Sequence, residues 1–453
     1  MKRWIGFMII ALTVLAMTAC GDAEIDESFV WPESIDGQNP FYGETLTIGA
    51  GWNRAQLTRV VGAYMWANPG VNIEIVNYGD DWAASIERMG IEMMAGIAPM
   101  LIDSTLVDYL NPATAMLLAD WLPIMAAAPS FNEDDWFTNV FDAFMADGRL
   151  HVFPTNFYYR FVQANYGIAG LVQALEAKDG ITTAQMQELH REFGDATTHL
   201  YFDMNFNTVR AVLKYLDHFL DIGSGMVDFN NQHFIDLITY SRDITAPGSM
   251  LNPLDSHRWW GYTRSMEREW AQRYFFLDTL GPIHFHYYLD IDAHRSFVSP
   301  TPLTNNYGEL IIEVSEGFLL NAGATQIQKA LAWDFIYFVS NYPYDRVQGG
   351  WFRMQPTNRN LLRATVERRL PNARASFVRQ GWLYQDDEHN DIESVIAQMT
   401  AFAEMPMSNV DTPVVISNAI VEVLEQFHDG LITAEQAAID LQNRVTLIVM
   451  EMD

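Results

Sequence analysis

The sequence predicts an α/β fold built as two lobes, and three observations carry that expectation. Between Glu44 and Asp103 the apolar residues alternate, then recur every three to four positions, then alternate again, as a parallel sheet with helical crossovers requires. Pro154 and Pro356 fall between periodic segments at two distant points, each where it would break a helix or a central strand. The chain has 453 residues, 49% hydrophobic and 13% aromatic, which is enough for more than one core of ordinary domain size.

Taken in order, Leu46 and Ile48 alternate within Glu44–Ala50 and predict a first strand. Leu57, Val60, Val61 and Tyr64 then lie on one helical face, and Asn68-Pro69-Gly70 stops that helix. Val71, Ile73 and Ile75 predict a second strand. Trp82, Ile86, Met89 and Met93 predict a second helix, opened by Asp80 or Asp81. The Gly and Pro turn of residues 95–99 leads into a third short strand ending at Asp103. At the far end Thr433 and Gln436 have the spacing of a capping box, and Ala438, Leu441, Val445 and Ile448 share one face of a closing amphipathic helix.

The N-terminus has the pattern of an export signal. Met1-Lys2-Arg3 is cationic, Trp4 to Ala19 is uncharged, and the run is too short to span a bilayer before Gly21-Asp22. It ends at Cys20, the chain's single cysteine, and resembles a bacterial lipobox with Met17 where Leu is usual. That resemblance implies cleavage after residue 19 and acylation of Cys20. Residues 20–43, acidic and without periodicity, are expected to form a tether. With no second cysteine there is no disulfide framework and no thiolate metal site.

Charge narrows the partners. Against 57 acidic residues stand 27 basic ones, a net of −30, and nucleic acid and anionic lipid surfaces need clustered basic residues that this chain lacks. Solubility accounts for the imbalance.

Six segments, in order along the chain, resemble the extracellular solute-binding proteins of ATP-driven importers, in the family that includes maltose- and oligosaccharide-binding receptors. They are residues 67–75 around Asn68-Pro69-Gly70; residues 94–99, with Met100 where the family has Asp; Asp147-Gly148 through Pro154; Glu316–Asn321 with the helix at 330–338; Pro356-Thr357; and the helix start at Ile432–Ala438. The resemblance implies a type II periplasmic-binding-protein-like fold, two discontinuous lobes joined by a hinge with the ligand between them. Its implied division is a signal at 1–19, a tether at 20–43, one lobe from 44–155 and 299–353, and the other from 156–298 and 354–453. It further implies a monomer that hands a small solute, a sugar, to a membrane permease, held by a lipid anchor on the outer face of the cell membrane, with no cofactor.

Ligands of open α/β sheets bind at the carboxyl ends of the strands. That places Trp52 and Asn53 after the first strand, Asp103 and Ser104 after the third, and Asn156, Tyr158 and Tyr159 at the hinge among the candidate ligand-binding residues. An exposed indole such as Trp52 would stack on the C–H face of a sugar ring, or it would pack a lobe. Trp260 and Trp351 are read in the same two ways. His284 and His286 would share a strand face, yet without a third ligand no metal site is proposed. The resemblance makes His284 and Phe285 cleft-lining residues, with Ile283 replacing an aromatic, and Glu316 joins the set. The rival reading is a secreted glycosidase using a carboxylate pair such as Asp103 and Glu316. No nucleophile elbow, zincin helix or phosphate loop is present. No catalytic residue is therefore assigned, and a receptor for a peptide or polyamine is the other alternative.

Overall fold

The computed structural model describes residues 29–34, 39–51, 54–79, 81–165, 168, 170–194, 199–202, 216, 219–222, 225–244, 274–280, 297–305, 307–341, 355–368, 392–409 and 412–452. The strands are β1 (Thr45–Ala50), β2 (Asn72–Asn77), β3 (Leu101–Asp103), β4 (Val152–Asn165), β5 (His199–Phe202), β6 (Leu220–Asp221), β7 (Met226–Val227), β8 (Tyr274–Leu280), β9 (Phe297–Pro302), β10 (Leu310–Leu320), β11 (Gln355–Pro356) and β12 (Met407–Asn409). All but β6 and β7, which form a small ribbon, join one sheet whose main path runs β2-β1-β3-β10-β4-β8-β5.

The N-terminal α/β unit forms as its periodicity requires. β1 pairs in parallel with β2 and β3, with Leu46 opposite Ile73 and Ile48 opposite both Ile75 and Leu101. The helix Arg54–Ala67 buries Leu57, Val60, Val61 and Tyr64. It stops where Gly70 turns with φ 95°, and a Cβ there would lie 2.2 Å from the Tyr42 ring, so glycine is required. Asp81, rather than Asp80, caps the helix Trp82–Met94, its side chain accepting from the Ala84 N–H. The closing helix Ala434–Met452 has the expected capping box: Gln436 N donates to Thr433 Oγ1 at 3.2 Å and Thr433 N to Gln436 Oε1 at 2.9 Å.

Two long strands set the architecture. The first half of β4 pairs antiparallel with β10 and β11, and its second half, from Arg160, pairs with β8 and β9. β10 in turn meets β12, β4 and β3 along its length. Thr357 ties the return of the chain to this crossing, its Oγ1 donating to the Pro154 carbonyl at 2.8 Å and the Thr155 carbonyl at 3.0 Å. β10 bulges on both sides of Glu316, between Val314 and Gly317. A Cβ on Gly317 would lie 2.9 Å from Val152 Cγ2, 3.0 Å from Val314 Cγ2 and 3.2 Å from the Phe153 carbonyl. Gly317→Ala is therefore expected to cost about 1–3 kcal/mol through overpacking, measured by denaturant unfolding.

Among the described residues, three buried clusters lie around these strands. The first holds the N-terminal sheet and helices together with Leu362, Val366, Val395, Ile396, Met399, Ala403 and Met407. The second joins Leu216–Ile238 to the helices Val414–His428 and Ala434–Met452, and the third surrounds Val162, Leu171, Ile181, Leu303 and Ile311. Among the described residues after 354, the buried apolar ones from Leu362 to Val366 and from Val395 to Met407 enter the first cluster and those from Ile416 onward the second, whereas the sequence division assigned all of them to one lobe.

The tether differs as well. Phe29 and Trp31 pack against the first cluster, with Trp31 edge-on to Phe41 at 6.1 Å and 84°, so chain order begins ahead of residue 44. Aromatic area offered to a core outweighs an acidic composition there. No described helix is long and apolar enough to cross a membrane, and residues 1–28, with Cys20, lie outside the described residues.

Candidate functional site at the crossing strands

Four of the residues singled out from sequence meet where β3, β4 and β10 run side by side. β3 ends at Asp103, whose backbone pairs with Phe318; on the next strand pair Glu316 stands opposite Asn156. Ser104 opens the short 3-10 turn Ser104–Leu106. β-bulges re-aim side chains, and the one at Glu316 sits at this junction.

The hydrogen bonds are specific. Asp103 Oδ1 accepts from Thr105 N at 3.0 Å and from Thr105 Oγ1 at 2.8 Å. Asn156 Nδ2 donates to Glu316 Oε2 at 3.0 Å, and Thr155 Oγ1 donates to the Glu316 carbonyl at 2.9 Å. Tyr158, half-buried two positions along β4, donates its hydroxyl to Glu313. Asp103, Ser104 and Asn156 are 7%, 8% and 5% exposed. Glu316 keeps some exposed surface as a residue, while its carboxyl group lies deep among protein atoms.

Burial and like charge act together on the two acids. Loss of water pushes Asp103 upward, and the Thr105 donors only partly oppose that. Glu316 is pushed up to about 7, first by burial, then by the neighbouring Asp103 charge, with the Asn156 amide pulling the other way. A site with one carboxylate charged and a second poised near neutrality offers strong acceptors to hydroxyl or amine donors.

A cavity of about 400 Å³ opens along the same chain segment. It is lined by Met93, Leu106, Asp108, Asn111, Val414 and Asn418 among others, and so lies between first-cluster elements and the helix Val414–His428 of the second. Asp108 bridges the two, Oδ2 accepting from the Val414 N–H at 2.9 Å at a helix start that has no side-chain cap of its own. Its volume is within the range of small-molecule sites.

Tyr159, by contrast, is fully buried, its ring against Phe157 and Phe402 at 6.0 and 5.8 Å, so its place is in the packing of the core rather than at a surface. Gly51, buried against Leu106, follows the last residue of β1 and precedes Trp52 and Asn53 in the chain. Trp52, Asn53, Trp260, His284, Phe285, His286 and Trp351 lie outside the described residues. Among the described residues no group of three or more His, Cys, Asp or Glu is placed to hold a metal ion. Sequence reading missed Thr105, Glu313 and Asp108. Thr105 had a local signal, since an Asp followed two residues later by Thr suits an Asx turn; Glu313 and Asp108 act through partners far along the chain and had none.

No protein-family model and no curated protein matches the sequence. Solved structures do match in three dimensions. The sugar-binding protein MalE from Xanthomonas citri superposes with a TM-score of 0.57 at 16% identity, over 90% of this chain and 98% of that one. The maltose-bound MalE3 of T. maritima gives 0.54 at 14% identity, over 89% and 99%. An extracellular solute-binding protein of family 1 from Alicyclobacillus acidocaldarius gives 0.52 at 14% identity, over 90% and 99%. At such identities the likeness speaks for architecture. The chain has the type II periplasmic-binding-protein-like fold of the extracellular solute-binding proteins.

Proposed function

We propose that this chain is a solute-binding receptor that captures a carbohydrate between its lobes and delivers it to the membrane permease of an ATP-driven importer. The observation that carries the reading is the match of nearly the whole chain to whole sugar-binding proteins, one of them bound to maltose. The polar group at Asp103, Asn156 and Glu316 adds to it, because acceptors gathered at the end of β3 and the bulge of β10 suit the hydroxyls of a sugar. In this reading the protein is exported, acylated at Cys20, monomeric and without a cofactor, and it is not an enzyme. The hinge sets the mechanism: a solute that touches both lobes only when they close shifts the population toward closure, and the permease recognises that form.

One observation favours a second reading. Two neighbouring acids, one near neutrality, are also the parts of a glycosidase. A single experiment separates the readings: a thermal-shift screen of residues 22–453 against mono- and oligosaccharides, with amino acids, peptides and polyamines as controls. A ligand at a hundredfold excess over its Kd adds about 2.7 kcal/mol of stability. A sugar that stabilises the protein and is recovered unchanged supports the receptor. Turnover of that sugar supports the hydrolase, and hits confined to the controls overturn the carbohydrate assignment.

A further inference from the structure

Recognition of hydroxyls does not account for the cavity of about 400 Å³ beside Leu106. Its walls come from three elements: Ile86 and Met93 from the helix Trp82–Met94, Leu106 and Val107 from the turn after Asp103, and Val414 and Val415 from the helix Val414–His428. All six are apolar. Two of its polar members bond the chain itself: Asp108 accepts from the Val414 N–H at 2.9 Å and from the Leu110 and Asn111 N–H groups, and Asn111 Oδ1 accepts from Ala113 N at 3.0 Å. Thr114 and Asn418 complete the lining, Asn418 at an exposed edge with Val415, which is 44% exposed. Among the described residues no aromatic ring lines this cavity, so a pyranose ring has no face to stack on there, and hydroxyls buried in it would find few partners.

We propose that the cavity is a subsite for an apolar substituent of the solute: the sugar is held by its hydroxyls at Asp103, Asn156 and Glu316, and a short alkyl or acyl chain carried by that sugar enters the cavity. The ligand class is then an alkylated or acylated sugar rather than a bare oligosaccharide. The inference rests on the carbohydrate reading given above. Two observations join the cavity to the polar group. Asp103 caps the 3-10 turn Ser104–Leu106, and the last residue of that turn is already a wall of the cavity. The cavity also takes its walls from elements of the first and the second buried cluster, so a chain lodged in it touches both, as the solute of a two-lobed receptor must.

Gly90 sets the room available. It lines the cavity from the helix Trp82–Met94, and a Cβ built on it meets no heavy atom within 4 Å. Glycine weakens the interior of a helix, so the fold gains by a side chain at this position while the cavity loses volume to it. Gly90→Leu is therefore expected to fill the subsite without loss of stability.

The test is calorimetric titration of the mature chain, from residue 20 onward with Cys20→Ser, against glucose, galactose, mannose and N-acetylglucosamine and against their methyl, ethyl, propyl and butyl glycosides. For at least one of these sugars the affinity is expected to rise about 4-fold with each added CH₂ group. In Gly90→Leu that rise is expected to vanish while the free sugar binds as before. Gly90→Ala, which adds a single carbon, is expected to shorten the chain length at which the rise stops, and it serves if the larger variant does not fold. A sugar that binds equally well whatever alkyl chain it carries overturns the subsite and leaves the carbohydrate receptor standing. A rise that survives unchanged in both variants places the chain elsewhere and also overturns the subsite. Binding of neither the sugars nor their glycosides overturns the subsite and counts against the carbohydrate reading with it.

Discussion

Asp103→Asn is expected to weaken solute binding by about 10- to 100-fold, the loss of one charge-assisted hydrogen bond worth about 1.5–3 kcal/mol. Stability at pH 8 is expected to stay within about 1 kcal/mol of the unaltered protein or to rise. The reason lies in what surrounds the group. The Asn side-chain oxygen can still accept from Thr105 N and Oγ1, which hold the present carboxylate at 3.0 and 2.8 Å. Removing the charge also removes one of the two causes that push Glu316 up to about 7. Glu316 is raised above its unfolded value, so it holds its proton more tightly in the native state; stability is fully present below about 4.5 and falls as pH rises toward 7. In Asp103→Asn that fall is expected to begin at the same pH, to end at a lower one and to be smaller. Calorimetric titration with the solute, beside urea unfolding from pH 4.5 to 8, checks both parts. A large loss of stability with unchanged affinity would show that Asp103 serves the fold alone.

Trp333→Ala is expected to do the opposite, costing about 3–5 kcal/mol of stability with unchanged affinity per folded molecule. Trp333 is fully buried on the helix Gln326–Asn341. Its ring lies 5.4 Å from that of Phe153, 5.8 Å from Phe131, 6.2 Å from Trp136 and 6.5 Å from Trp121, and its Nε1 donates to Ser130 Oγ at 3.0 Å. Truncation leaves a cavity that this ring lattice cannot collapse to fill. None of these rings belongs to the polar group of Asp103, Asn156 and Glu316. The urea midpoint reads the first part and titration of the folded variant the second.

How much of this was legible in the sequence follows from the range of the interactions involved. Local periodicity reported β1 to β3 and their helices, because alternation at Leu46 and Ile48 or a face at Leu57, Val60, Val61 and Tyr64 needs only near neighbours. The Thr433–Gln436 box is local too, and it forms. Strand ends placed Asp103 and Ser104, the proline crossings placed Asn156 and Tyr158, and Glu316 was in the same set, so of the polar junction Thr105 and Glu313 alone went unnamed. What failed was long-range. Tyr159 and Tyr158 are adjacent and chemically alike, yet β4 turns one into the core and one to Glu313, a matter of strand register that sequence does not fix. The bulge at Glu316 and the packing of Leu362, Val366, Val395 and Met399 with the N-terminal sheet depend on partners hundreds of residues away. The same holds for Asp108, which reaches the Val414 N–H across 306 positions.

The structure of the protein with the sugar that stabilises it most tests the central claim directly. The account predicts the sugar between the two lobes, with hydroxyls bonded to the side chains of Asp103, Asn156 or Glu316 and the lobes closed over it. A sugar bound elsewhere, with those three side chains bonded only to one another and to Thr105, would contradict it.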